Sequence, residues 1–267
     1  MIDTHLHSVL SGDSNEVPEN IYKAARGLEF FSVTDHVNIF YFDPKGYGVQ
    51  DFEEYFRIYN GLRDKYSAPS AIGIELGYTD IACAENEKLA AKYPFEILVN
   101  SVHEVEGRDC YFPEYFAGKT RDYAYSEYFK VVDKSLDVKY DFSALGHLAY
   151  LERNAPYPDR AVKYSRYEDI LDSILTKLIR INSCLEINTS SANATTPFLP
   201  NAGILARYYS LGGRLVCYGS DAHSAKNIGE KYDVAVSAAR AAGFTSWSVK
   251  LLRPAAGFKK GIAEFGF

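Results

Sequence analysis

Arg-Leu-Val-Cys-Tyr-Gly-Ser-Asp-Ala-His, residues 214–223, is a short apolar run that ends in a carboxylate and an imidazole. By length and composition its part from Arg214 to Gly219 reads as a strand of a parallel sheet. Gly212-Gly213 stands just before it, where a helix in the segment from Asn201 would stop and the strand would begin. Six more runs of this kind lie at Ile2 to His5, Phe30 to Thr34, Ala71 to Leu76, Glu96 to Val102, Phe142 to Gly146 and Leu185 to Thr189. Between them, Phe52, Tyr55, Phe56, Tyr59 and Leu62 recur at three-to-four spacing, as do Ile170, Ile174, Leu175, Leu178 and Ile181. Such spacing gives amphipathic helices. Seven short runs alternating with helices predict an α/β chain of parallel strands with helical crossovers. The connections from Val37 to Gln50 and from Val105 to Lys119 are long for such a chain, and on a barrel long connections shape the mouth of the active site.

The bulk numbers bound the problem. A chain of 267 residues without repeat, linker or low-complexity tract is expected to form one domain spanning 1–267. Lys plus Arg number 29 against 35 Asp plus Glu, a net charge of −6, which argues against a general nucleic-acid binder. The amino terminus has no basic, apolar leader and no run approaches 18 apolar residues, so neither secretion nor membrane insertion is expected and the location is read as cytoplasmic. Cys83, Cys110, Cys184 and Cys217 lie far apart with no CxxC pair and read as reduced thiols. The 22 tyrosines are read as core and pocket lining.

Chemistry enters with the histidines. All six, His5, His7, His36, His103, His147 and His223, lie at or just beyond the end of an expected strand, with Asp3, Asp35, Glu75 and Asp221 at similar positions. In a parallel barrel the carboxyl ends of the strands converge on one face, which would make one cluster of them. His5 and His7 are two apart on a strand, so both side chains point the same way and can grip one ion. Imidazoles mixed with carboxylates suit zinc, iron, manganese or nickel better than calcium or magnesium. Glu75 has two oxygens and could bridge two ions roughly 3.5–4 Å apart, the arrangement that clamps a phosphoryl group.

In sequence order, Asp3-x-His5-x-His7, Thr-Asp-His at 34–36, Gly-Ile-Glu at 73–75, Asn-Ser-Val-His at 100–103, Gly-His-Leu at 146–148 and Gly-Ser-Asp-Ala-His at 219–223 resemble the polymerase and histidinol phosphatase (PHP) family across nearly the whole chain. The resemblance implies a distorted seven-stranded, TIM-like (β/α)7 barrel with two to three divalent transition-metal ions, zinc, manganese or iron. Carried over by motif, His5, His7, Glu75 and Asp221 would hold the first ion, and Glu75, His103 and His147 the second. His36, His223 and Asp13 would hold the third, although Ser-Gly-Asp-Ser around Asp13 also reads as a simple turn or helix cap. Asp3 and Asp35 would each orient a ligand imidazole through its other nitrogen.

Within the family, chain length together with Asn-Ser-Val-His-Glu, Gly-His-Leu and Leu-Glu-Ile-Asn-Thr at 185–189 is most similar to the branch that hydrolyses L-histidinol phosphate. The mechanism so implied uses a metal-bridging hydroxide, with Asp221 taking a proton and His223 or a water assisting the leaving alcohol. Arg153 follows the fifth strand where this branch places a phosphate-binding arginine, and Asn188 and Ser190 fall toward the same substrate. Ser190 is a departure, since a second arginine often stands there in the branch. Other readings are a PHP-type enzyme for a sugar, nucleotide or tyrosyl phosphate, a non-catalytic metal-binding barrel, and a related amidohydrolase. The amidohydrolase reading lacks a lysine bridge and an eighth strand here. The expected partner is a small phosphomonoester, with no polymerase module, nucleic acid or membrane.

Overall fold

Seven parallel strands form a nearly closed barrel in the structure, a computed structural model that describes residues 1–43, 46–190 and 196–267. They are β1 (Ile2–Leu6), β2 (Phe30–Val33), β3 (Ser70–Gly77), β4 (Ile97–Ser101), β5 (Ala144–Leu145), β6 (Cys184–Asn188) and β7 (Val216–Gly219). Neighbours around the barrel follow chain order, each pair parallel. The last strand returns to the first just past its end: Asp221 N–H donates to His5 O (2.9 Å) and His7 N–H to Ala222 O (3.0 Å). Strands covered on both faces need near-continuous apolar sequence, and every residue of β1 to β7 is buried. The polar exceptions in these strands include His5 and Glu75. All seven expected strands are present, with ends moved by up to two residues, and β5 is shortest because His147, at φ 23°, turns the chain out of the ladder.

The outer helices follow the apolar spacing. Helix α1 spans Pro18–Ala24, and α2 (Phe52–Tyr66) starts at Asp51, whose carboxylate caps Glu54 N–H, and buries Phe52, Tyr55 and Tyr59. Then come α3 (Cys83–Lys92), α4 (Arg121–Ser135) and α5 (Glu168–Arg180), the last burying Leu171, Ile174, Leu175 and Leu178. Helix α6 (Ala202–Ser210) is capped by Asn201 and stops as the Gly-Gly pair requires: Gly212 has φ 99°, a conformation a side chain disfavours. Helix α7 spans Tyr232–Ala242. Among the described residues no helix is long and apolar enough to cross a membrane.

A C-terminal hairpin was not evident in the sequence: β8 (Ser246–Leu251) pairs antiparallel with β9 (Gly261–Gly266). Leu252 N–H donates to Glu96 O (2.9 Å), and Lys250 Nζ reaches Asp141 Oδ1 (2.6 Å) and Ser183 Oγ (3.0 Å). Those three residues precede β4, β5 and β6, so the hairpin covers the amino end of the strands, away from the histidines. Trp247 is fully buried there.

One buried carboxyl outside the histidine cluster gives a pH prediction. Glu152, a few residues after β5, accepts from Val162 N–H (2.7 Å) while its Oε2 has no hydrogen-bond partner among the described residues, and burial pushes its carboxyl up to about 7. The native state thus holds this proton more tightly than the unfolded chain. The stability is fully present below the unfolded value of 4.5 and is lost as pH rises through about 7. Glu152→Gln keeps the acceptor oxygen without the charge. Its unfolding free energy in denaturant should match the wild type near pH 4 and exceed it above pH 8 by up to roughly 3 kcal/mol; equal pH profiles would show that Glu152 does not titrate this way.

Candidate metal centre and active site

The six imidazoles meet over the carboxyl ends of the strands, around Glu75. Glu75 Oε2 lies 2.7 Å from His36 Nδ1, 3.3 Å from His5 Nε2 and 3.6 Å from His7 Nε2. Its Oε1 lies 2.8 Å from His147 Nε2 and 3.4 Å from His103 Nε2. Asp221 Oδ1 is 3.1 Å from His7 Nε2 and 3.9 Å from His5 Nε2. Asp13 Oδ2 stands between His223 Nε2 (3.1 Å) and His36 Nε2 (3.3 Å). All nine residues expected to hold metal are therefore brought together, Asp13 included. Among the described residues three overlapping groups have ligand atoms within 4.8 Å of one another: His5, His7 and Glu75; His7, His36 and His223; and His36, Glu75 and His103.

The electrostatics are those of a site built around positive charge. Burial alone would raise the Glu75 carboxyl, but His36, His5 and His103 outweigh it and hold it well below the carboxylate range. Asp221 is likewise held low against its burial, by His5 and Arg153. Burial, reinforced by His223 and His36, keeps His7 neutral, and burial also lowers His147, so both offer a lone pair. His36 is pushed up to about 10: its burial opposes this, but Glu75 and Asp13 prevail. A divalent cation would take the place of such protons, because metal ligands must be deprotonated.

Arg153 comes from the turn after β5 and is almost fully buried. Its Nη2 donates to Asn188 Oδ1 (2.6 Å) and Asp221 Oδ2 (2.8 Å), and its Nε has no hydrogen-bond partner among the described residues. Arg153, Ser190, Asp221, His223, Asp13, His36, His103 and His147 line a cavity of about 660 Å³ whose remaining wall is largely aromatic.

Three expectations need correction. Asp3 and Asp35 reach no imidazole. Asp3 accepts from the backbone N–H of Ser220 and Gly229 (both 3.0 Å), while Asp35 accepts from Ser8 N–H (2.5 Å) and Tyr59 OH (2.6 Å). Strand-end carboxylates next to turns find backbone donors first, and these two fix the segments carrying Asp221 and His7. Asn188 does not face a substrate. It is fully buried, its Oδ1 taken by Arg153 and its Nδ2 donated to Glu186 Oε2 (3.0 Å), so it positions the arginine from below.

The imidazole partners are other residues. Glu186 Oε1 lies 2.6 Å from His5 Nδ1, and its Oε2 accepts from His147 N–H (2.7 Å); Ser11 Oγ is 2.8 Å from His7 Nδ1, and Asn38 Oδ1 is 3.0 Å from His103 Nδ1. Glu186 had a signal: a carboxylate between Leu185 and Ile187, two residues before Asn188, must face the barrel interior. Gly219 leaves room for it, since a Cβ there would stand 2.2 Å from Glu186 Oε1 and 2.7 Å from the His5 Cβ.

A sequence model of the PHP domain matches residues 3–190 of the chain. The chain belongs to the PHP domain family. The PHP match ends before β7, yet the barrel continues through Asp221 and His223. The chain is 30% identical to a probable histidinol-phosphatase of Clostridium acetobutylicum over 90% of this chain and 92% of that one. It is 31% identical to a histidinol-phosphatase of Lactococcus lactis over 84% and 85%. A crystal structure of histidinol phosphate phosphatase from Lactococcus lactis, complexed with zinc, L-histidinol and phosphate, superposes with a TM-score of 0.85 at 28% identity, covering 98% of each chain.

Proposed function

We propose that this chain is a metal-dependent phosphomonoesterase of the cytoplasm that hydrolyses L-histidinol phosphate to L-histidinol and phosphate. The observation that carries the reading is a buried guanidinium, Arg153, tied at 2.8 Å to Asp221, a carboxylate of the histidine cluster that also lines the cavity. A cation of the protein and a nest of ligand atoms beside one cavity suit a phosphate dianion. The similarity to histidinol-phosphatases over most of the chain supports histidinol phosphate as the ester.

The residues fit divalent ions. Among the described residues His5 Nε2, His7 Nε2, His36 Nδ1 and Glu75 Oε2 are buried without a hydrogen-bond partner although they converge, which is costly for polar atoms unless a cation sits among them. His103 Nε2 and His147 Nε2 face each other at 3.3 Å beside one carboxylate oxygen, again a place for a cation. We assign His5, His7, Glu75 and Asp221 to one ion, Glu75, His103 and His147 to a second, and His36, His223 and Asp13 to a third. When bound, such ions supply Lewis-acid neutralisation of phosphate oxygens and lower the pKa of water.

The protein's own groups do the rest. Glu186, Ser11 and Asn38 fix the rings of His5, His7 and His103. Arg153 donates to the phosphate while holding Asp221. Asp221, kept anionic, accepts the proton of the attacking water as its oxygen bonds to phosphorus and the ester P–O bond breaks. His223, a third exposed at the cavity mouth, keeps its Nδ1 3.0 Å from Asp221 O and so turns Nε2 toward Asp13, and water at the open mouth supplies the proton of the departing alcohol.

The test is phosphate release by metal-loaded protein from a panel containing L-histidinol phosphate, a sugar phosphate, a nucleoside monophosphate and a tyrosyl phosphate. Highest kcat/KM on L-histidinol phosphate is expected. Preference for another ester would reject the substrate, and no release from any of them would reject the enzyme.

A further inference from the structure

The cavity wall beyond the histidine cluster has its own chemistry. Tyr150 rises from the cluster, its ring centre 4.9 Å from that of His147 and 5.2 Å from that of His103. Tyr111 lies 6.5 Å from Tyr150, and Tyr47 lies 5.7 Å from His36. Asp109 shares this wall. It ends a small hairpin in which Glu104–Val105 pairs with Arg108–Asp109, directly after His103, and Cys110 N–H donates to His103 O (2.8 Å), pinning the hairpin to the site.

Asp109 differs from the other two carboxylates of the lining. Asp13 and Asp221 lie against histidines, and Asp221 also against Arg153. Asp109 Oδ1 accepts from Tyr111 N–H (2.7 Å), and among the described residues no lysine, arginine or histidine forms an ion pair with it. A partly buried anion among tyrosine rings, attracted by His103 and His36 but in ion-pair contact with neither, has its carboxylate open to a cationic ligand: the carboxylate supplies the charge and the ring faces the cation–π attraction. Burial pushes the Asp109 carboxyl up, and burial followed by the charge of Asp109 pushes the Tyr150 hydroxyl up, so the charge is felt across the wall.

We propose that Asp109, with the rings of Tyr47, Tyr111 and Tyr150, is a specificity subsite for positive charge on the alcohol portion of the phosphomonoester. Arg153 and the cluster take the dianion, and Asp109 takes the cation at the other end of the substrate. Esters of alcohols bearing an ammonium or imidazolium group are favoured, neutral esters lack the interaction, and anionic ones are repelled. The inference rests on phosphomonoester hydrolysis in this cavity, and it extends to O-phosphoethanolamine as well as L-histidinol phosphate.

The test compares metal-loaded wild type, Asp109→Asn and Asp109→Glu on L-histidinol phosphate, O-phosphoethanolamine and neutral p-nitrophenyl phosphate, with calorimetric binding of L-histidinol alone as a readout independent of turnover. In Asp109→Asn the ratio of kcat/KM for the cationic esters to that for the neutral ester is expected to fall by about 10-fold or more, mainly through KM. L-Histidinol affinity is expected to fall in parallel, and Asp109→Glu to restore part of both. An unchanged ratio with unchanged L-histidinol affinity would overturn the subsite, as would an equal loss on the neutral ester, the mark of a merely structural aspartate. Failure of the substrate reading looks different: wild type would prefer another ester while the charge selectivity still depended on Asp109.

Discussion

Replacing His103 with alanine is expected to lower kcat on phosphomonoesters by about 10³-fold, roughly 4 kcal/mol of transition-state stabilisation, while the protein stays folded. The imidazole stands 3.4 Å from Glu75 Oε1 and 3.3 Å from His147 Nε2, so its loss leaves one imidazole and half a carboxylate for the second ion. It also lines the cavity, so truncation opens space toward solvent and the barrel core is untouched. Elemental analysis of the purified variant should show fewer bound ions per chain, and its far-ultraviolet circular dichroism should match the wild type. Retained turnover with a full metal complement would contradict the assignment of His103.

Replacing Arg153 with alanine is expected to reduce kcat/KM by about 10²- to 10³-fold, with most of the loss in KM and in the inhibition constant of inorganic phosphate. Two effects combine. The guanidinium no longer meets the dianion, and Asp221 loses the cation at 2.8 Å that helps hold it ionised. Arg153→Lys keeps the charge but loses the planar fork, and should recover only part of the activity. Inhibition by phosphate that is the same in all three proteins would remove Arg153 from the substrate site.

Much of this site could be read from the sequence because a parallel barrel carries its chemistry at strand ends. Once Gly219-Ser-Asp-Ala-His223 is recognised as the end of an apolar strand, the other strand-end histidines fall into register with it. The strands themselves were visible as apolar runs since both their faces are covered, and α2 and α5 since each buries one stripe. Contacts that depend on side-chain direction were not visible. Asp3 and Asp35 look like partners for imidazoles by proximity in sequence, yet both turn to backbone donors, whereas Glu186 reaches His5 across a separation of 181 residues. Asn188 showed the same limit: its position in a motif suggested substrate contact, and burial made it a support for Arg153 and Asp221. The β8–β9 hairpin was hidden because Trp247 and Val249 alternate with polar residues in a segment too short to stand apart from the preceding helix.

The most direct test of a metal-dependent phosphatase is a titration. Protein stripped by chelation is supplied with zinc or manganese in steps, and phosphate release from L-histidinol phosphate is followed against bound metal. Release should be absent without metal and rise to a plateau at two to three ions per chain, the number the proposed assignment of the ligands requires. Undiminished release from fully stripped protein, or none at any metal content, would contradict it.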